Sequence, residues 1–139
     1  MRSRTFLPLL VALAIGATAC GGDSGDGGAS TGSTTAVTQA QADEAMGGLC
    51  DIATGAVTET SDVLDAFHTR AHEILHHVAS EARQIDPVVA GALLEAKSVV
   101  ETDLLNAPYP SDLPEHAQAL AAALVDALET IGLRPATCP

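Results

Sequence analysis

The interval at which apolar residues return constrains this chain more than anything else in it. From Thr38 onward they recur every three to four positions in four successive stretches. No window keeps the strict alternation of a half-buried strand. The first stretch opens at Thr38, a residue suited to an N-cap, and carries Ala42, Ala45, Met46, Leu49, Ile52, Ala53 and Ala56. Gly47, Gly48 and Gly55 weaken it as an isolated helix. The second starts near Ser61 or Asp62 and runs to about Ile85. The third has Asp86 as N-cap and Pro87 at the first helical position, and continues to about Leu105. After a proline-rich turn the fourth begins between Asp112 and Pro114 and ends at Ile131, with Gly132 placed to stop it. Short connections make consecutive helices antiparallel neighbours. The expected fold is therefore all-α, a small antiparallel four-helix bundle built from residues 37–139.

The chain before the bundle has a different character. Arg2 and Arg4 precede an apolar run over residues 6–17 that is too short for a comfortable membrane span. Ala17-Thr18-Ala19-Cys20 follows. This arrangement resembles the signal peptide and lipobox of bacterial lipoproteins. The resemblance implies that residues 1–19 are removed and that Cys20 becomes a lipidated N-terminus, anchoring the protein to the outer face of the cell membrane. An ordinary signal peptidase cutting after Ala19 would also deliver it outside the cytoplasm. Residues 20–36 are then the anchor and a Gly/Ser/Thr-rich linker with nothing apolar to bury, expected to be a disordered, flexible tether. Its fifteen or so residues reach about 20 Å, enough to hold a domain clear of the headgroups.

Charge removes one class of partner. The sequence has 6 basic and 18 acidic side chains, a net charge of −12. Loss of Arg2 and Arg4 with the signal leaves Arg70, Arg83, Lys97 and Arg134, scattered and forming no stripe. Nucleic acid is excluded on that ground. An anionic membrane surface would repel the domain as well, so membrane attachment falls to the lipid. With Cys20 acylated, Cys50 and Cys138 remain as an even pair in an oxidising compartment, the candidate disulfide. A loop that long contributes about 4 to 5 kcal/mol in the chain-entropy account. Phe67 and Tyr109 are the only aromatic residues of the bundle, so it has few large side chains to bury and such a staple matters.

The second stretch holds four of the five histidines. Its expected core stripe is Leu64, Phe67, Ala71, Ile74, Leu75, Val78, Ala82 and Ile85. Asp65, His68, His72 and His76 run along one flank, each histidine about 40° round from the previous one. Histidines four apart stand about 6 Å from each other, a spacing at which two imidazoles can share an ion. Three in a row span about 12 Å, so one ion uses two of them and needs a donor from elsewhere. If the chain reverses about Ile85 and Asp86, Glu95 lies level with His76 and Val99 with His72. This places Glu95 at the edge of an apolar face formed by Val88, Val89, Ala92, Ala96, Val99 and Val100. The candidate metal ligands are His72, His76, Glu95 and His68. Imidazole with carboxylate suits zinc, copper or iron over calcium or magnesium. His77 faces elsewhere, between Glu73 and Glu81 at helical spacing, and reads as part of an exposed ion-pair ladder.

His72-Glu73-Ile74-Leu75-His76 also resembles the H-E-x-x-H helix of zinc metalloproteases, with residues 91–96 similar to the downstream glutamate segment of one branch. That resemblance implies zinc on His72, His76 and Glu95, with Glu73 activating water. It also implies a sheet that binds the substrate, and the sequence offers no strand for one. The leading expectation is an extracytoplasmic, membrane-anchored metal binder, acting as carrier, buffer or sensor. The alternative is a lipid-anchored protein-interaction module whose histidines only pack. A third reading is a pH-responsive patch of imidazoles on an acidic surface.

Overall fold

A computed structural model describes residues 36–139, so the expected signal segment, Cys20 and the expected linker up to residue 35 lie outside the described residues. Each helix that the sequence marks with a cap starts at that cap. The Thr38 hydroxyl accepts from the Gln41 N–H and the Gln41 side chain accepts from the Thr38 N–H, a reciprocal cap that opens α1 (Gln39–Ala53). The Asp86 carboxylate accepts from the N–H groups of Val88 and Val89, and Pro87 is the first residue of α4 (Pro87–Leu104). Helix α5 (Leu113–Thr130) stops where Gly132 takes φ 81° and the Leu133 N–H turns back to the Leu128 carbonyl.

The second arm is not one continuous α-helix. It comprises α2 (Thr60–Leu64), a π-helical turn (Asp65–Thr69) and α3 (His72–Arg83). The spacing of its buried residues explains the wide turn. Val63, Phe67, Ala71, Leu75 and Ala79 lie four apart and are all buried. In an uninterrupted helix of 3.6 residues per turn, that series would swing about 40° per step and carry its ends out of the core. One wide turn takes up the slack and keeps all five inward. The same turn rotates the N-terminal end of the arm, so Val63 rather than Leu64 faces the core.

The arms close into a ring: α1 packs on α5 and on the π turn, α3 on α4, and α4 on α5. This is an all-α four-helix bundle, with α2, the π turn and α3 acting as one arm. The core is mainly alanine and leucine, and Phe67 is its largest fully buried side chain. The backbone of α1 comes close enough to the π turn that a methyl group on Gly48 would stand 2.3 Å from the Ala66 carbonyl oxygen. Arg70 lies over Gly47 and pairs with Asp51, tying the π turn to α1 a second time. A disulfide joins Cys50 of α1 to Cys138 in the tail after α5, across a separation of 88 residues. The Val37 N–H donates to Glu81 at 2.7 Å, fixing the start of the domain to α3 and drawing Glu81 away from His77.

One expected face is rotated: Val89, Ala96 and Val100 pack on the core as expected, but its other members do not. The buried side of α4 is Ala90, Leu93, Lys97, Val100 and Asp103, whereas Val88 is 78% exposed and Val99 40%. The leucine at 93 takes the core position that the valine-rich face was expected to fill. Two residues along a helix correspond to about 200° of rotation, so this choice carries Glu95 to the solvent side. Ile85, expected in the core, sits in the connection between α3 and α4 and is 64% exposed.

Candidate metal-binding face

The three flank histidines stand in file. The His72 and His76 rings are 4.9 Å apart by centroid and nearly perpendicular, and the His68 and His72 rings are 5.7 Å apart. Phe67 supports the upper end, its ring centroid 5.2 Å from His68 and 5.9 Å from His72, both edge-to-face. The π turn contributes directly here, because it lies between Leu64 and Arg70 and so sets how His68 stands over His72.

The partner helix meets this file two residues further along than the sequence spacing indicated. His72 Nε2 lies 3.0 Å from Glu101 Oε1, in place of the expected Val99, and the α4 charges that act on His76 are those of Lys97 and Glu101, not Glu95. Glu95 is exposed and makes no ion pair among the described residues. The same Glu101 oxygen accepts from Lys97 Nζ at 2.6 Å, one turn back along α4. The Lys97 side chain is only 5% exposed, an unusual placement for an ammonium group unless it is paired. The face is therefore a row of imidazoles bridged to a buried lysine by one carboxylate.

The electrostatics follow from that arrangement. Partial burial and then the nearby Lys97 ammonium lower the pKa of His76, with His72 adding to the effect, which favours the neutral ring and leaves one nitrogen lone pair for an ion. Burial alone would raise the Glu101 carboxyl, but the Lys97 hydrogen bond and charge, with His72, hold it below the ordinary glutamate range. Among the described residues, no three His, Cys, Asp or Glu side chains already converge in a geometry that would hold a metal ion. His72 and Glu101 are drawn together, but an ammonium group shares the carboxylate.

Glu73, the base implied by the protease resemblance, is 85% exposed at its side chain and reaches His77 at 3.6 Å, away from the imidazole file. The described residues contain no strand on which a peptide substrate could lie. An open cleft of about 330 Å³ lies between α1, α5 and the C-terminal tail, lined by Met46, Ala121, Val125 and Cys138 among others. It includes none of the histidines.

The fifth histidine sits in a separate cluster that sequence spacing did not reveal. His116 Nδ1 is 2.6 Å from Asp103 Oδ2, joining the end of α4 to the start of α5, and its Nε2 is 4.0 Å from Asp112. The Asp103 hydrogen bond, and then the charges of Asp103 and Asp112, raise the His116 pKa. A histidine whose pKa is higher folded than unfolded stabilises the fold fully below its unfolded value, about 6.5. That contribution is lost as pH rises through the folded value. Asp103→Asn should therefore lower the urea midpoint more at pH 6 than at pH 9. An equal loss at both would show that the pair carries no linked proton.

Comparison with family models, curated proteins and solved structures finds no match to this chain. The class rests on the fold and the face themselves: an all-α bundle domain with a file of imidazoles on one arm and a carboxylate–ammonium pair on the next. Among the described residues, no helix is long and apolar enough to cross a membrane.

Proposed function

We propose that this chain is an extracytoplasmic lipoprotein, held on the outer face of a bacterial membrane by a lipid on Cys20, whose bundle domain binds a transition-metal ion. The observation that carries the metal reading is the His72–His76 ring pair, one turn apart and 4.9 Å between centroids, with Glu101 3.0 Å from His72. His72 and His76 are the nitrogen donors and Glu101 takes the place expected of Glu95, with His68 next in the file. Two imidazoles and a carboxylate favour zinc, copper or iron. Location outside the cytoplasm draws support from the Cys50–Cys138 disulfide, since such bonds persist in oxidising compartments. It draws further support from the export-type segment that ends at Cys20.

Calorimetric titration with Zn²⁺ or Cu²⁺ tests the site. Wild type should bind close to one ion, and affinity should fall as pH drops through the imidazole range. His72→Ala/His76→Ala should lose more than ~100-fold in affinity, beyond the cost of disturbing only an outer shell. Glu95→Ala should bind as wild type does. Undiminished binding by the double histidine variant would leave the histidines as packing groups and favour an interaction module. The intact mass of protein extracted from membranes should show acylation at Cys20; an unmodified thiol there would remove the anchor.

A further inference from the structure

The strongest unused feature of the molecule is its buried lysine. Lys97 is 4% exposed overall, and its Nζ hydrogen-bonds a single carboxylate oxygen, Glu101 Oε1, which also faces His72 Nε2. We propose that Lys97 is a resident cation that competes with the metal ion for Glu101 and keeps the affinity of the site low. The inference rests on the metal reading of the same face.

Geometry supplies the argument. An ion bound to His72 Nε2 and Glu101 Oε1 would sit within a few ångströms of Nζ, and two cations cannot share one carboxylate oxygen without strong repulsion. Burial makes the repulsion harder to screen than it would be on the surface. The lysine side chain is only 5% exposed, so the ammonium has little access to water where it stands. Metal entry at Oε1 therefore requires Nζ to give up that oxygen. Without metal, the ammonium neutralises Glu101, so the site costs little to keep empty. A site with its own counter-cation suits carriage and release better than storage.

Lys97→Met tests this, because it removes the charge with little change in volume and fits an apolar surround. Lys97→Gln is a second version in case methionine disturbs the bundle, with helical circular dichroism and a urea midpoint recorded for each. Zn²⁺ titration should show either variant binding ~10- to 100-fold more tightly than wild type, the range over which neighbours of a ligand tune affinity. Adding Glu101→Gln to the lysine variant should abolish the gain. Equal affinity for wild type and the lysine variants would overturn the competition and leave metal binding intact. A gain that survives Glu101→Gln would also overturn it. If neither protein binds through His72 and His76, both the metal reading and this inference fall.

Discussion

Breaking the Cys50–Cys138 bond is expected to lower the unfolding free energy by about 3 to 5 kcal/mol. The bond spans 88 residues, nearly the whole bundle, so reduction releases the unfolded chain from one very large loop. The folded side loses an anchor too. After Gly132 the tail has no helix of its own; the disulfide holds Cys138 to α1, helped by the pair of hydrogen bonds between the Arg134 backbone and the Gln39 side chain. Small domains are typically stable by only 5 to 15 kcal/mol, and this one fills its core mainly with alanine and leucine. A large share of its stability should therefore depend on one bond. Urea denaturation of the oxidised protein, of the reduced protein and of Cys50→Ser/Cys138→Ser checks this. A loss below about 1 kcal/mol in both reduced forms would mean the helices carry the domain without the staple. Metal titrations belong on the oxidised form for the same reason.

The starts of α1 and α4 and the end of α5 were legible because each is decided within four residues. Thr38 with Gln41, Asp86 with Pro87, and Gly132 after Ile131 satisfy backbone groups at a helix end whatever the rest of the chain does. The cysteine pairing was legible because reading Cys20 as the lipid site left only two candidates. The imidazole file was legible as a spacing of four along one arm.

The opposite side of the site was not legible, and Lys97 shows why. A lysine at a core-facing position argues against that face, so the valines at 88 and 99 looked like the better core. Burial of Lys97 is tolerable only because Glu101 lies one turn on and His72 approaches from another helix, which is tertiary information. With that face mistaken, the helix pair slid by two residues in the reading and Glu95 replaced Glu101. Asp103 and His116 were missed for a related reason, as they face each other across a proline-rich turn whose path no local rule fixes. The π turn had left a trace: an apolar series at intervals of four from Val63 to Ala79 does not suit a straight helix.

Gly48→Ala should destabilise the protein by about 2 kcal/mol, although alanine is the better helix former by about 1 kcal/mol. The new methyl group would lie 2.3 Å from the Ala66 carbonyl oxygen and 3.3 Å from its carbon, and backbone in the π turn cannot rotate aside as a side chain can. Relief requires α1 to move off the arm or the wide turn to rearrange. Either response shifts His68 relative to His72, so the histidine side-chain resonances should move along with the urea midpoint. Two other glycines make the comparison decisive. Gly91 lies inside α4 with nothing within 4 Å of an added methyl, so Gly91→Ala should stabilise by about 0.5 to 1 kcal/mol. Gly47→Ala meets only the tip of Arg70, at 2.6 Å, which can swing away at the cost of its exposed pair with Asp51. Its propensity gain and that loss should nearly cancel. The expected order is Gly91→Ala above wild type, Gly47→Ala close to it, and Gly48→Ala well below. If Gly48→Ala stabilises as Gly91→Ala does, the close approach of α1 to the π turn is wrong, and with it the account of how the histidine file is held.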